Sequence, residues 1–282
     1  MRKITIGLVI LSIIMIGMVI PAGFSGQANS VVITYGETTH ANSGYKADVD
    51  AFFKSQSNLD LKNVDEKIIT ANDVNKISST ITGKTYNSNQ IFSSALVDLN
   101  DNAKLKVSVD KSKITVITGD MYISALKSAG ITKGHVYVTS PVSATGESAL
   151  AGIMNSYEVA TSVEIPDTVK EAANNEIYTE AEIVENSNVS AENLSSLVDD
   201  VKEVVQKDNI TDHQTIVNII NNYTVNNNIN LTNNDIEKLA DSIVKIQKAQ
   251  GDITKYKSEI SNVINSTDTN DIKGFLEGLF GR

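Results

Sequence analysis

Apolar and polar positions follow three successive patterns along the chain. From Ile4 to Ile20 the side chains are almost all apolar and none is charged. Arg2 and Lys3 stand directly before this run, and Pro21 with the small or polar stretch Ala22-Gly23-Phe24-Ser25-Gly26-Gln27-Ala28 follows it. Basic charge stays on the cytoplasmic side while the apolar segment enters the bilayer, so this order reads as an export leader over residues 1–28. Gly26 and Ala28 supply the small residues a cleavage after Ala28 needs. The run is intermediate between a cleaved signal core of about 7–15 residues and a spanning helix of roughly 20. Pro21 and the small-residue site favour cleavage; a retained N-terminal anchor is the alternative.

Residues 30–165 alternate between strand and helix patterns and predict a mixed α/β domain. Val31 to Tyr35 is a β-branched strand, Tyr45 to Phe53 a helix, and Lys67 to Thr70 a second strand before a helix opening near Asn72 or Asp73. Ile91 to Leu99 and Leu105 to Val109 read as strands joined across the polar turn Asn100 to Ala103, the default being a hairpin. Ile114 to Thr118 is a further strand; Asp120 is placed to cap a helix through Lys127 that Gly130 ends. His135 to Thr139 is a strand, and Glu147 to Tyr157 a helix after Gly146. Strand and helix alternating from Ile114 to Tyr157 requires part of the sheet to be parallel or mixed.

From residue 166 the period becomes 3.6. Leu194, Leu197, Val198, Val201 and Val205 fall on one helical face, as do Ile216, Val217, Ile220 and Tyr223. Ile236, Leu239, Ala240, Ile243 and Ile246 continue the pattern, followed by Ile253, Tyr256, Ile260 and Val263, then Ile272, Phe275, Leu276 and Leu279. Thr232 with Asp235 forms a cap signature. The expectation is an all-helical C-terminal module of five or six helices over 166–282, giving a mixed α+β or α/β fold overall.

Charge narrows the partners. The chain has 34 acidic against 24 basic side chains, and two of the basic ones, Arg2 and Lys3, lie in the leader. Arginine recurs only at Arg282. Phosphate backbones are bound by Lys/Arg clusters, so nucleic acid is excluded as a partner, and anionic head groups are not attracted. Membrane contact is expected only through an uncleaved N-terminal segment. With no cysteine, thiol nucleophiles, iron–sulfur clusters and Cys-based zinc sites are excluded.

The motifs that would commit the chain to a reaction each fail. Gly146-Glu147-Ser148-Ala149-Leu150 lacks the second glycine of a nucleophile elbow. Ser124 with Lys127, and Ser108 with Lys111, match S-x-x-K without a downstream K-T-G. Gly83-Lys84-Thr85 resembles the end of a P-loop, but Ser78 replaces the required glycine. Asp98-Leu99-Asn100-Asp101-Asn102 starts like a calcium loop, yet Ala103 and Val109 replace its glycine and glutamate. His40, His135 and His213 are dispersed. Neither a cofactor nor a metal site is expected, and no catalytic residue can be assigned. The remaining candidate cleft is where the strand ending at Ser140 meets Gly146, Glu147 and Ser148, a helix N-terminus whose amides suit an anion.

Ser93-Ser94-Ala95, Ile114-Thr115, Met121-Tyr122, Ala125-Leu126, Ala129-Gly130-Ile131, Val136 to Pro141, Gly146 to Ile153 and Tyr157-Glu158, taken in order, resemble the DUF1002 (YpuA-like) family of uncharacterised predicted secreted proteins. The resemblance covers Val31 to Val184 well and the helical remainder loosely; Ser128 and Ser143-Ala144-Thr145 depart from it. It implies a signal sequence and an α/β region followed by helices, and it brings no established activity or site residues. The expected function is therefore that of an exported, non-enzymatic protein of the cell envelope, binding an envelope protein or surface polymer. The alternative is an envelope hydrolase with an unfamiliar site.

Overall fold

The computed structural model describes residues 31–266 apart from 82 and 101–103. The leader, the centre of the calcium-like loop and the apolar stripe from Ile272 onward lie outside the described residues.

Five strands, β1 (Val31–Gly36), β2 (Asp65–Ile69), β3 (Ser94–Asp98), β4 (Lys106–Val109) and β5 (His135–Thr139), form one mixed sheet in the order β2-β1-β3-β5-β4. β1 runs parallel to β2 and β4 parallel to β5, whereas β3 is antiparallel to both β1 and β5. Period-two alternation divides the sheet's faces. Val32, Ala95, Val97, Val136 and Val138 join one core. Ile33, Tyr35, Leu96 and Tyr137 join another with Val49 and Phe53 of α2 (Ser43–Ser57). α5 (Ser148–Thr161) lies against β1 and β3 on the first face.

The hairpin expected between Leu99 and Leu105 does not form, because β5 lies between β3 and β4. The chain leaves β4, passes through α4 (Gly119–Ser128) and returns as β5 alongside it, a parallel crossover that the turn signal did not encode. The strand expected over Ile114 to Thr118 is also absent. Ile114 and Ile117 are buried, but this segment pairs only as an isolated bridge of Ile114 to Ala144, with Thr115 and Ile117 amides donating to the Ala144 and Thr145 carbonyls. α4 is capped by Thr118, whose side chain accepts from the Met121 amide, and not by Asp120, which sits in the first turn.

After Pro166 come α6 (Asp167–Asn186), α7 (Ala191–Lys207), α8 (His213–Asn226) and α9 (Asn233–Ser266). Among the described residues there are thus four helices after that proline, and the stripe from Ile272, counted in the expected five or six, lies outside them. The stripes at Ile236–Ile246 and Ile253–Val263 belong to a single helix that runs through Gly251. Ser190 and Asp212 cap α7 and α8, and Thr232 and Asp235 exchange hydrogen bonds at the start of α9. The main core passes from the sheet into these helices: Val169, Ala173 and Ile177 of α6 and Ile246, Ile253 and Tyr256 of α9 pack with Leu126, Leu150 and Ile153. A second core joins α7, α8 and the first half of α9. Among the described residues no helix is long and apolar enough to cross a membrane.

Candidate functional site

The residues expected at the α5 N-terminus are mostly buried. Ser140 follows β5 with its hydroxyl buried and without a hydrogen-bond partner. Gly146 has φ +116°, and its carbonyl accepts a 2.5 Å hydrogen bond from the Tyr122 hydroxyl. The Glu147 carboxyl is buried and accepts from the Thr145 hydroxyl. Desolvation raises its pKa, an effect the Thr145 hydrogen bond only partly offsets. Ser148 opens α5. Gly146 and Glu147 belong to the same turn, but none of the four lines either groove described below. Tyr157 and Glu158 act elsewhere: the Tyr157 hydroxyl donates to the Lys133 carbonyl, while Glu158 accepts from the Ile165 amide and pairs with Lys170 at 3.0 Å.

The histidines lie apart, on α1 (Glu37–Ala41), β5 and α8. His135 stacks on Tyr137 and contacts the Ser108 hydroxyl at 2.9 Å. Among the described residues, no three His, Asp or Glu side chains group as metal ligands.

A polar network that the sequence did not reveal occupies the junction of α4, α6 and α7. Ser124 Oγ lies 2.6 Å from Glu176 Oε1, from Asp199 Oδ1 and from Lys202 Nζ. The ammonium donates there, and the one hydroxyl proton serves one carboxylate at a time. Ser128 donates to the other Glu176 oxygen at 2.6 Å, and Lys202 also reaches Glu176 Oε1 at 2.6 Å. Burial opposes the charge of Lys202, yet Glu176 and Asp199 outweigh it and hold the ammonium above its ordinary pKa. Asp199 is partly buried, but Lys202, Ser124 and Lys127 keep it below the usual carboxylate range. Glu180, one turn beyond Glu176, is fully buried and neither carboxyl oxygen has a partner. Desolvation, reinforced by the Glu176 charge, lifts its pKa well above the ordinary value.

Above this network a groove of about 540 Å³ runs between α4 and α7. Its walls carry Asp120, Glu192 and Asp200, which have no ion pair among the described residues, opposite Lys104; Leu105 and Ile123 supply apolar surface. Asp199 joins groove to network, paired with Lys127 at 3.2 Å. Ser195 also lines the groove and is 2% exposed. Helix dipoles alone favour Asp120 and Glu192, which sit in first turns. They do not account for Asp200. Apart from Asp120 and Lys127, noted as α4 residues, the groove was missed in the sequence. The available signal was the acidic pair Asp199-Asp200 interrupting the apolar stripe of α7.

A mixed sheet covered by helices on both faces and extended by a helical layer, with an acidic groove over a buried ion cluster, defines the class of protein. The chain belongs to the family described as "Protein of unknown function (DUF1002)", whose sequence profile matches residues 35–263. It is similar to "Uncharacterized protein YpuA" of Bacillus subtilis (strain 168), with 27% identity over 279 residues, covering 95% of this chain and 92% of that protein. No solved structure matches.

Proposed function

We propose that this is an exported, envelope-associated binding protein, not a catalyst, and that it takes a positively charged partner segment into the α4–α7 groove. The observation that carries the reading is the set of uncommitted carboxylates, Asp120, Glu192 and Asp200, lining one groove. Carboxylates accept from ammonium and guanidinium groups, and Leu105 and Ile123 receive the aliphatic stems of such side chains. Export is supported by the leader pattern of residues 1–28.

A hydrolase reading finds less support. Ser124 is the serine held against a lysine, but it is fully buried, and Lys202 is kept protonated by two carboxylates and so cannot accept its proton. Ser195 faces a groove but has no base bonded to it.

The test is a fluorescence-anisotropy titration with a labelled lysine-rich peptide, its acidic counterpart serving as control. The expected result is saturable binding of the basic peptide that weakens with salt and falls at least about tenfold in the D120N/E192Q/D200N variant. Equal binding by the variant and the unaltered protein overturns the assignment of the groove.

A further inference from the structure

A second cleft, of about 380 Å³, lies between α3 (Ala71–Ile81), α6 and α9. Its charge is opposite to that of the first. Lys238, Lys245 and Lys248 line one wall, three cations on one face of α9 in a chain whose acids outnumber its bases. Lys238 is consumed by Glu182 at 2.6 Å. The other carboxylate of the cleft, Asp241, lies 3.1 Å from the His213 Nε2 atom. Lys245 and Lys248 have no ion partner among the described residues, although Lys245 is half-buried.

The opposite wall is polar. Asn175 and Thr179 stand one turn apart on α6, 6% and 7% exposed, and both line the cleft. Neither side chain has a hydrogen-bond partner among the described residues. A solvated lysine face explains Lys248 alone; it does not explain a half-buried ammonium on a cleft that Asn175 and Thr179 also line.

We propose that this cleft binds a small phosphate ester. Two ammonium point charges, an amide and a hydroxyl give convergent donors to a group with several oxygens. A planar carboxylate is better matched by the arginine fork, and the described residues contain no arginine. Ile81 and Val244 form an apolar strip beside these donors for the carbon skeleton of the ester. The volume lies at the lower end of small-molecule sites, which run from about 300 to 1,000 Å³. The inference does not rest on the α4–α7 groove, since the two sites have no residue in common.

The test is isothermal titration of the purified protein at low salt with inorganic phosphate and, separately, with glycerol 3-phosphate. Saturable binding of the ester is expected, tighter than that of phosphate alone. K245Q/K248Q should weaken it at least about tenfold, and T179V, which keeps every charge, by about fivefold. Thermal melting followed by circular dichroism confirms that the variants fold; neither lysine has an ion pair to lose. Equal affinity for phosphate and the ester would remove the apolar wall from the site and overturn the ester assignment. Absence of saturation, or a loss in the lysine variant with none in T179V, would mean diffuse surface attraction and overturn the site itself.

Discussion

Replacing Glu180 by methionine should make the protein more stable at neutral pH, and by an amount that grows with pH. Glu180 is fully buried on α6 with both carboxyl oxygens unpartnered, and Glu176 lies one turn before it. Desolvation and that neighbouring charge raise its folded pKa well above the unfolded value. The folded protein therefore keeps a proton that the unfolded chain releases. Its stabilising contribution is fully present below the unfolded carboxylate pKa and is lost as pH rises through the folded one. Between those limits a one-proton difference costs about 1.4 kcal/mol per pH unit. Methionine follows the same unbranched path, carries no proton and needs no hydrogen-bond partner. Glutamine is a poorer probe because it leaves an unsatisfied amide at about 1–3 kcal/mol. Urea unfolding at pH 5, 6 and 7, followed by far-ultraviolet circular dichroism, reads the difference between E180M and the unaltered protein. The difference should increase as pH rises above the unfolded carboxylate range. Parallel pH profiles would refute the reasoning, since they would mean that Glu180 titrates in the folded protein as it does in the unfolded chain.

Two further substitutions test the packing around the site. K202M strands Glu176 and Asp199 beneath α7, and removing one partner of a buried pair costs about 3–5 kcal/mol; the urea midpoint should fall, and E176Q/K202M should recover part of the loss. A midpoint unchanged in K202M would show that the cluster is not an ionic unit. G152A sets helix propensity against packing. Alanine gains roughly 1 kcal/mol within a helix, but a Cβ at Gly152 would lie 2.9 Å from Thr34 Cγ2 and 3.3 Å from Ile69 Cγ1. Overpacking of this kind costs about 1–3 kcal/mol, so a net loss of thermal stability is expected, and a gain would contradict the close seating of α5 on β1.

Much of the fold was legible because its signals are local. The β5 boundaries follow from the β-branched run His135 to Thr139, and the start of α9 from Thr232 and Asp235, whose reciprocal hydrogen bonds span only three residues. What failed was non-local. The turn between Leu99 and Leu105 could not reveal that a strand from residue 135 onward would come between its arms. Ile114 and Ile117 are both buried, but at a spacing of three, which fits an irregular segment under α5 better than a strand. The candidate site was less legible still. Glu176 and Glu180 sit among Ala173, Ile177 and Ala181, so two acids interrupt an apolar face at helical spacing. That interruption was readable as a buried polar cluster. Its partners Ser124 and Lys202 are separated by 78 positions, and nothing local joins them.

The buried cluster also explains why the groove above it stays acidic. Within the network, Glu176 and Asp199 are matched by Lys202 and Lys127, and Glu180 adds no charge while it holds its proton. The two lysines nearest the groove are thereby committed to the junction of α4, α6 and α7, and of the lining cations only Lys104 remains to oppose Asp120, Glu192 and Asp200. Lys127 lines the groove but is paired with Asp199, and Lys202 is turned inward to Glu176. An interior arrangement that tolerates an unpartnered acid at the cost of stability thus leaves a fixed negative field at the surface. Such a field speeds encounter with a cationic partner and rejects an anionic one. The burial of Lys202 and the accessibility of Asp200 are two parts of one electrostatic arrangement.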